Sequence, residues 1–425
     1  MAFSRDRVTF RNEAIYVSPS ATGFHYTGQM AIGMPTPPPN FMSIAGWQCG
    51  QPWPVFNAYG KSMFYAADHG TTIFQLKRIQ SASYGFSAGL TDVNQYGHVS
   101  RLDAVKISQA PVNLDLSWYL TDGYNERMVG LVIDGNQSPL AQDISGSDGR
   151  NFFIETVPDT VDAASGDMRV KNDRNTVISI GNAFLTSYTA DIAVSSVPTA
   201  SITVEAYNMK ADRGTTGLDV PALNPYNGSL ISNAWEGGQK GVCNPDGCTG
   251  LFSLPAASMM YSGCDDVAAL RPGDVVLELD NASLLSVQTS GSGSNFGSAH
   301  VQSANINVSM SRSDIYRLGT STPMTKSLDV PISVTLSISA ILADLKKGNL
   351  ITALCNCERH DLTIKIYDPN DPSCGSCDPE AGAIAMEYRF TRALLTSENF
   401  TSTIGDNKTV DLEFSTQVDF FEKGG

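Results

Sequence analysis

A segment that begins near residue 79 returns near residue 301, and the correspondence runs to the C-terminus. Gln80-Ser81-Ala82 reads Gln302-Ser303-Ala304 on the second pass, and Ser87, Asp92 and Gly97 return as Ser309, Asp314 and Gly319, all at an offset of 222. Pro111, Leu116 and Ser117 match Pro331, Leu336 and Ser337 at an offset of 220. Ala183, Leu185, Thr186 and Ser187 match Ala393, Leu395, Thr396 and Ser397 at 210. Order is kept, and the offset changes between matching blocks, as insertions in surface loops produce. Whatever this chain folds into, it must build that unit twice. A duplicated unit without a duplicated cluster of reactive side chains points to assembly geometry before chemistry.

Within each copy the dominant period is two. In Ser303 to Met310 the residues Ala304, Ile306, Val308 and Met310 face one way and their polar neighbours the other. Val112 to Trp118, Ile332 to Ile338, Ile202-Thr203-Val204 and Val410 to Phe414 repeat the pattern. Such alternation buries one face of an antiparallel sheet and solvates the other. One stretch per copy reads as helix: residues 341 to 354 in the second and, more weakly, Gly123 to Leu131 in the first. The expected organisation is a Pro-punctuated, aromatic lead-in over residues 1–75, with one strand at Glu13 to Val17, then a first repeat over 76–210. A Gly- and Asn-rich insertion follows over 211–265, and a second repeat over 266–425 opens with the strand Asp274 to Leu279.

Charged residues make up only 17% of the chain, the net charge is -15, and the mean hydropathy is -0.11. Gripping nucleic acid needs clustered Lys and Arg, so an acidic chain is a poor DNA-binding protein. It suits a surface past which DNA slides. No apolar run reaches the roughly 18 residues of a membrane span, so no membrane partner is expected. The N-terminus is charged from Arg5 and has no apolar core segment, so a signal peptide is not expected.

The matched blocks resemble the tail tube (major tail) proteins of tailed bacteriophages. Ala393 to Phe400, followed by Ile404-Gly405-Asp406-Asn407-Lys408-Thr409-Val410, is similar to the closing segment of that family, and residues 301 to 338 to its earlier strand pair. Repeat one has the same layout but carries Ser195-Ser196-Val197-Pro198-Thr199 where repeat two has Gly405 to Thr409. The resemblance covers about two thirds of the chain and leaves out the lead-in and residues 211 to 265. It implies a mainly β protein: two tandem antiparallel β-sandwich or barrel domains, each with one flanking helix. It further implies subunits that join sheets in a ring, and rings that stack into a virion tail tube conducting DNA. With six tube domains to a ring, a two-domain chain closes as a trimer. The expected partners are other copies of the chain, other tail proteins, and DNA passing through without specific binding. Assembly is expected in the host cytoplasm. A tail terminator or baseplate-hub ring, and a β-sandwich module binding a receptor or carbohydrate, are the competing readings.

Chemistry-bearing candidates are few. Cys355-x-Cys357 and Cys374-x-x-Cys377, with His360 nearby, place two close thiol pairs where a zinc ion or disulfides could form. C-x-C is a loose zinc signature and repeat one has no matching cysteines, so free structural thiols compete with both. Cys243 and Cys248 flank a turn. No P-loop or H-E-x-x-H is present, the five histidines do not recur between repeats, and no catalytic residue is expected. Trp118 ends an alternating strand and reads as core or interface packing.

Overall fold

The computed structural model describes residues 13–18, 73–131, 149–157, 175–223, 275–279, 301–341, 359–367, 384–402 and 409–417, with short gaps, and a few isolated residues or pairs between them. In chain order the strands are β1 (Glu13–Ser18), β2 (Val55–Phe56), β3 (Ser62–Met63), β4 (Phe74–Gln75), β5 (Ile79–Phe86), β6 (Leu90–Val93), β7 (Asp103–Lys106) and β8 (Val112–Tyr119). Helix α1 (Tyr124–Val129) precedes β9 (Arg150–Thr156), β10 (Thr176–Ala193), β11 (Thr199–Ala206) and β12 (Asn208–Arg213). Then come β13 (Cys243–Asn244), β14 (Gly247–Cys248), β15 (Val275–Leu279), β16 (Val301–Ser309), β17 (Arg312–Ile315) and β18 (Thr325–Leu328). The chain closes with β19 (Ser333–Ile341), β20 (Arg359–Tyr367), β21 (Ile384–Thr401) and β22 (Thr409–Gln417). The protein is mainly β, and its strand pairs are antiparallel.

The two 18-residue strands organise the molecule. The first half of β10 pairs with β9 and β12, and the second half with β11 and β16. Likewise the first half of β21 pairs with β20 and the second half with β22. The change of partners falls at the same place in each: Asn182 and Arg392, 210 apart, both take positive φ (53° and 54°). Each backbone N–H there donates to a neighbouring side chain, Asn182 to Asn151 Oδ1 at 3.3 Å and Arg392 to Asp361 Oδ1 at 2.7 Å. A bulge follows three residues on, at Leu185/Ser187 and at Leu395/Ser397. The hydroxyl of the residue between donates to the facing carbonyl, Thr186 to Thr203 and Thr396 to Glu413, both at 3.0 Å. Bulges bend a strand and add twist, which lets one strand serve two layers.

The order β5-β8-β11-β10 recurs as β16-β19-β22-β21, and β10 pairs with β16, so eight strands form one sheet through both repeats. The outer layer carries β1 and β9 against β10, and β15 and β20 against β21. Residues from both layers and both repeats form one core, including Leu114, Trp118, Phe152, Ile202, Ile306, Ile338, Ile364 and Phe414. The sheet does not close on itself among the described residues; β5 and β15 end it.

Three sequence expectations change. The strand at Glu13 to Val17 exists as β1, but it pairs with β9 as β15 pairs with β20. It thus belongs to the same large sheet as the first repeat's strands, separated from them in sequence by a long intervening segment that breaks the offset. The 220 offset is replaced by 222: Leu116 lies opposite Ala82, and Ile338 opposite Ala304. A two-residue slip preserves which face each side chain takes, so alternation alone does not reveal it. Finally, the helix over 341–354 loses its first residue, since Ile341 ends β19 opposite Thr409; 342–354 lie outside the described residues. The helix in repeat one is α1, bounded by Gly123 and Gly130. Gly130 ends it at φ 104° and donates to the carbonyls of Glu126 and Arg127, the left-handed stop at which glycine is least strained.

Candidate functional site

The continuous eight-stranded sheet has two chemically distinct faces. On the core side lie Leu114, Leu116, Ile202, Val204, Ala190, Ile306, Leu336 and Leu412, all buried. The other face is built almost entirely of hydroxyls, amides and carboxylates. One row across it reads Ser81, Ser117, Ser201, Thr189, Asn307, Thr335 and Ser415. The next reads Tyr119, Thr199, Asp191, Asn305, Ser337, Glu413 and Ser397.

This face is knitted laterally. Ser81 and Ser117 share a hydrogen bond at 2.6 Å, and Thr189 and Ser201 at 2.5 Å. Ser339 donates to Asp411 at 2.6 Å and Ser397 to Glu413 at 3.0 Å. At the joint between repeats, Asn305 Nδ2 donates to Asp191 Oδ1. Every formal charge that these strands place on this face is negative: Asp115, Asp191, Glu205, Asp411 and Glu413, with Glu205 at its margin paired to Lys326. Not one Lys, Arg or His occurs in β5, β8, β11, β16, β19, β22, the second half of β10, or residues 395–401 of β21. The chain holds 28 Lys and Arg, so their exclusion from eight adjacent strands is a property of this surface. A polyanion meets repulsion there and no cation carried by these strands.

Two hairpins flank the sheet, β6–β7 and β17–β18, each turning through a glycine at positive φ, Gly97 and Gly319. The second folds back onto repeat one. Lys326 Nζ, its side chain 3% exposed, lies 2.6 Å from Glu205 and 3.5 Å from Asp314. Arg312 Nε donates to the Leu185 carbonyl at 2.8 Å, with its guanidinium 5.4 Å from the Phe184 ring centre. Burial, with Asp314 and Glu205 alongside, pushes the Tyr207 hydroxyl far above its ordinary range. The first hairpin has no such partner among the described residues, and Leu90, Tyr96, Val99 and Leu102 are exposed on it.

No family model matches the chain, and no curated protein matches it. Among the solved structures similar to it, two match over about a third of its length. A chain from the virion of a native gene transfer agent particle matches at 10% identity and a TM-score of 0.20, covering 34% of this chain and 90% of its own. A chain from the tail of an empty gene transfer agent particle with C6 symmetry matches at 14% identity and a TM-score of 0.20, covering 32% of this chain and 92% of its own.

Trp118 is core, 1% exposed, and its indole N–H donates to buried Glu126 at 2.9 Å. Tyr188 reaches the same carboxylate at 3.5 Å and Tyr388 of the other repeat at 2.5 Å. Burial raises both phenols well above their usual range, so both hydroxyls keep their protons, and the network ties α1 to both repeats. Cys355, Cys357, Cys374 and Cys377 lie outside the described residues. His360 is buried, with its ring edge-on to Phe414 at 5.9 Å. Among the described residues no group of three His, Cys, Asp or Glu is placed to hold a metal. From the insertion, Leu218, Ala222 and Leu254 pack on Tyr16, Phe153 and Val177 of the outer layer.

Proposed function

We propose that this protein is a structural subunit of a phage-like virion tail, whose copies join edge to edge into rings around a lumen through which DNA passes. The observation that carries this reading is the eight-stranded face, continuous through both repeats and built from strand segments that carry no basic side chain. A conduit for a polyanion needs a wall that is wettable, rigid and non-adhesive. Short hydroxyl side chains bonded across strands supply the first two properties, and the exclusion of Lys and Arg supplies the third. The role requires no catalytic group and no cofactor. Both ends of the eight-strand order lie open: β5 has only β8 as a strand neighbour, and residues 395–401 of β21 have only β22, among the described residues. Bare edges of this kind seek strand partners. Three chains, each supplying two units, give a six-lobed ring, and such rings stack into a tube.

Electron microscopy of the purified protein with rotational averaging tests this. Stacked rings of six lobes and three chains are the expected result. A protein that remains monomeric at high concentration, even with preformed tail tips added as initiators, overturns the reading. Rings that form but never stack make the protein a terminator-type ring instead.

A further inference from the structure

The joint inside the chain is a template for one that a single chain leaves unmade. Between the repeats, β10 and β16 pair antiparallel over seven positions, with Thr189 opposite Asn307 and Asp191 opposite Asn305. That pairing covers the core-side residues of β16: Ala304, Ile306 and Val308 are 5%, 1% and 8% exposed. Their equivalents on β5, at the 222 offset, are Ala82, Tyr84 and Phe86. Ala82 and Tyr84 are only half-buried, and Phe86 is 66% exposed. The core-side positions are dry on β16, where β10 lies alongside, and wetter on β5.

The hairpins tell the same story through a paired exchange. Inside the chain, Arg312 of β17 lies against Phe184 and the Leu185 carbonyl. The residue equivalent to Arg312 is Leu90, and the equivalents of Phe184 and Leu185 are Leu394 and Leu395. Leu90 and Leu394 are both exposed, at 58% and 37%. A cation on an aromatic ring has become leucine on leucine, with both sides changed together.

Resting on the ring reading above, we propose that β5 of one copy pairs antiparallel with residues 397–402 of a second copy, with Gly85 opposite Asn399 and Ser83 opposite Thr401, and that hairpin β6–β7 lies over the second copy with Leu90 against Leu394 and Leu395. Phe86 then faces Glu398, and Tyr84 faces Phe400. The pairing carries the polar face unbroken from one chain into the next.

Directly opposed residues on antiparallel strands have Cα atoms about 4.5–5.5 Å apart, within the span of a disulfide. The test is mild oxidation of the S83C/T401C double variant, with the unsubstituted protein as background for the native cysteines. Electron microscopy of the same samples reports separately whether rings form. A ladder of linked chains from S83C/T401C, absent from S83C/N399C and from either single variant, is expected. Rings in which S83C/N399C links instead, or in which neither pair links, overturn this register while leaving the ring reading intact. Neither rings nor ladder overturns both. A second pair of variants guards against a folding defect: L90K and L394E should each raise the concentration needed for assembly about tenfold. The L90K/L394E double variant should recover most of that loss by pairing opposite charges. A double variant as impaired as the two losses combined overturns the hairpin contact.

Discussion

At the scale of single residues, the bend of each long strand rests on one backbone conformation. Asn182 holds positive φ, donates its N–H to Asn151, and accepts the Leu223 N–H on its own Oδ1 at 2.6 Å. Asn182→Ala loses that acceptor and places a Cβ-bearing residue with no polar compensation in the left-handed region. It should lower unfolding free energy by about 2–3 kcal/mol in a denaturant titration. Arg392 occupies the equivalent place, and Arg392→Gly should be neutral or stabilising there, which the same titration checks. Glu398 stands where repeat one has Tyr188. One carboxylate oxygen is buried without a hydrogen-bond partner among the described residues, and burial raises its pKa. A carboxyl with a raised folded-state pKa binds protons more tightly folded than unfolded, so its ionisation destabilises as pH rises through that value. Glu398→Gln should therefore stabilise the protein at pH 7, with the advantage shrinking as the pH falls into the carboxylate range. Thermal unfolding of both forms from pH 4 to 8 reads this directly.

At the scale of elements, hairpin β17–β18 is fastened chiefly by the Lys326 pairs and the Arg312 contact. Lys326→Met strands Glu205 and Asp314 without their cation, and removing one partner of a buried pair costs more than the pair contributes. Hydrogen exchange should lose protection in β17 and β18 while β16 and β19 keep theirs; uniform loss across all four would mean the lysine supports the core instead. The duplicated strands and their alternation were legible in the sequence, because period-two burial writes itself into Ala304-Ile306-Val308 and Leu114-Leu116-Trp118. The register of β8 and β19 was not, because a slip of two leaves that pattern unchanged. Nor was the place of β1, whose pairing with β9 spans more than a hundred residues. The polar face was present in the letters as strands empty of Lys and Arg, but that signal emerges only once pairing shows which strands adjoin.

At the scale of the whole molecule, the proposed conduit wall, whose strands carry only acidic charges, can be converted into one that retains DNA. Asp115→Lys combined with Asp411→Lys places two cations on the polar face of each chain. Assembled protein carrying both should bind duplex DNA with an affinity that falls steeply with salt, whereas the unsubstituted assembly should show none by fluorescence anisotropy at 0.1 M salt. Equal retention by both would mean that DNA does not meet this face. The fused joint between β10 and β16 has one further consequence, and it concerns counting. Each chain arrives with two lobes already locked in register, so any closed ring of such chains has an even number of lobes. In the ring proposed above, five- and seven-lobed miscounts would be removed by covalent parity rather than by fine adjustment of an angle.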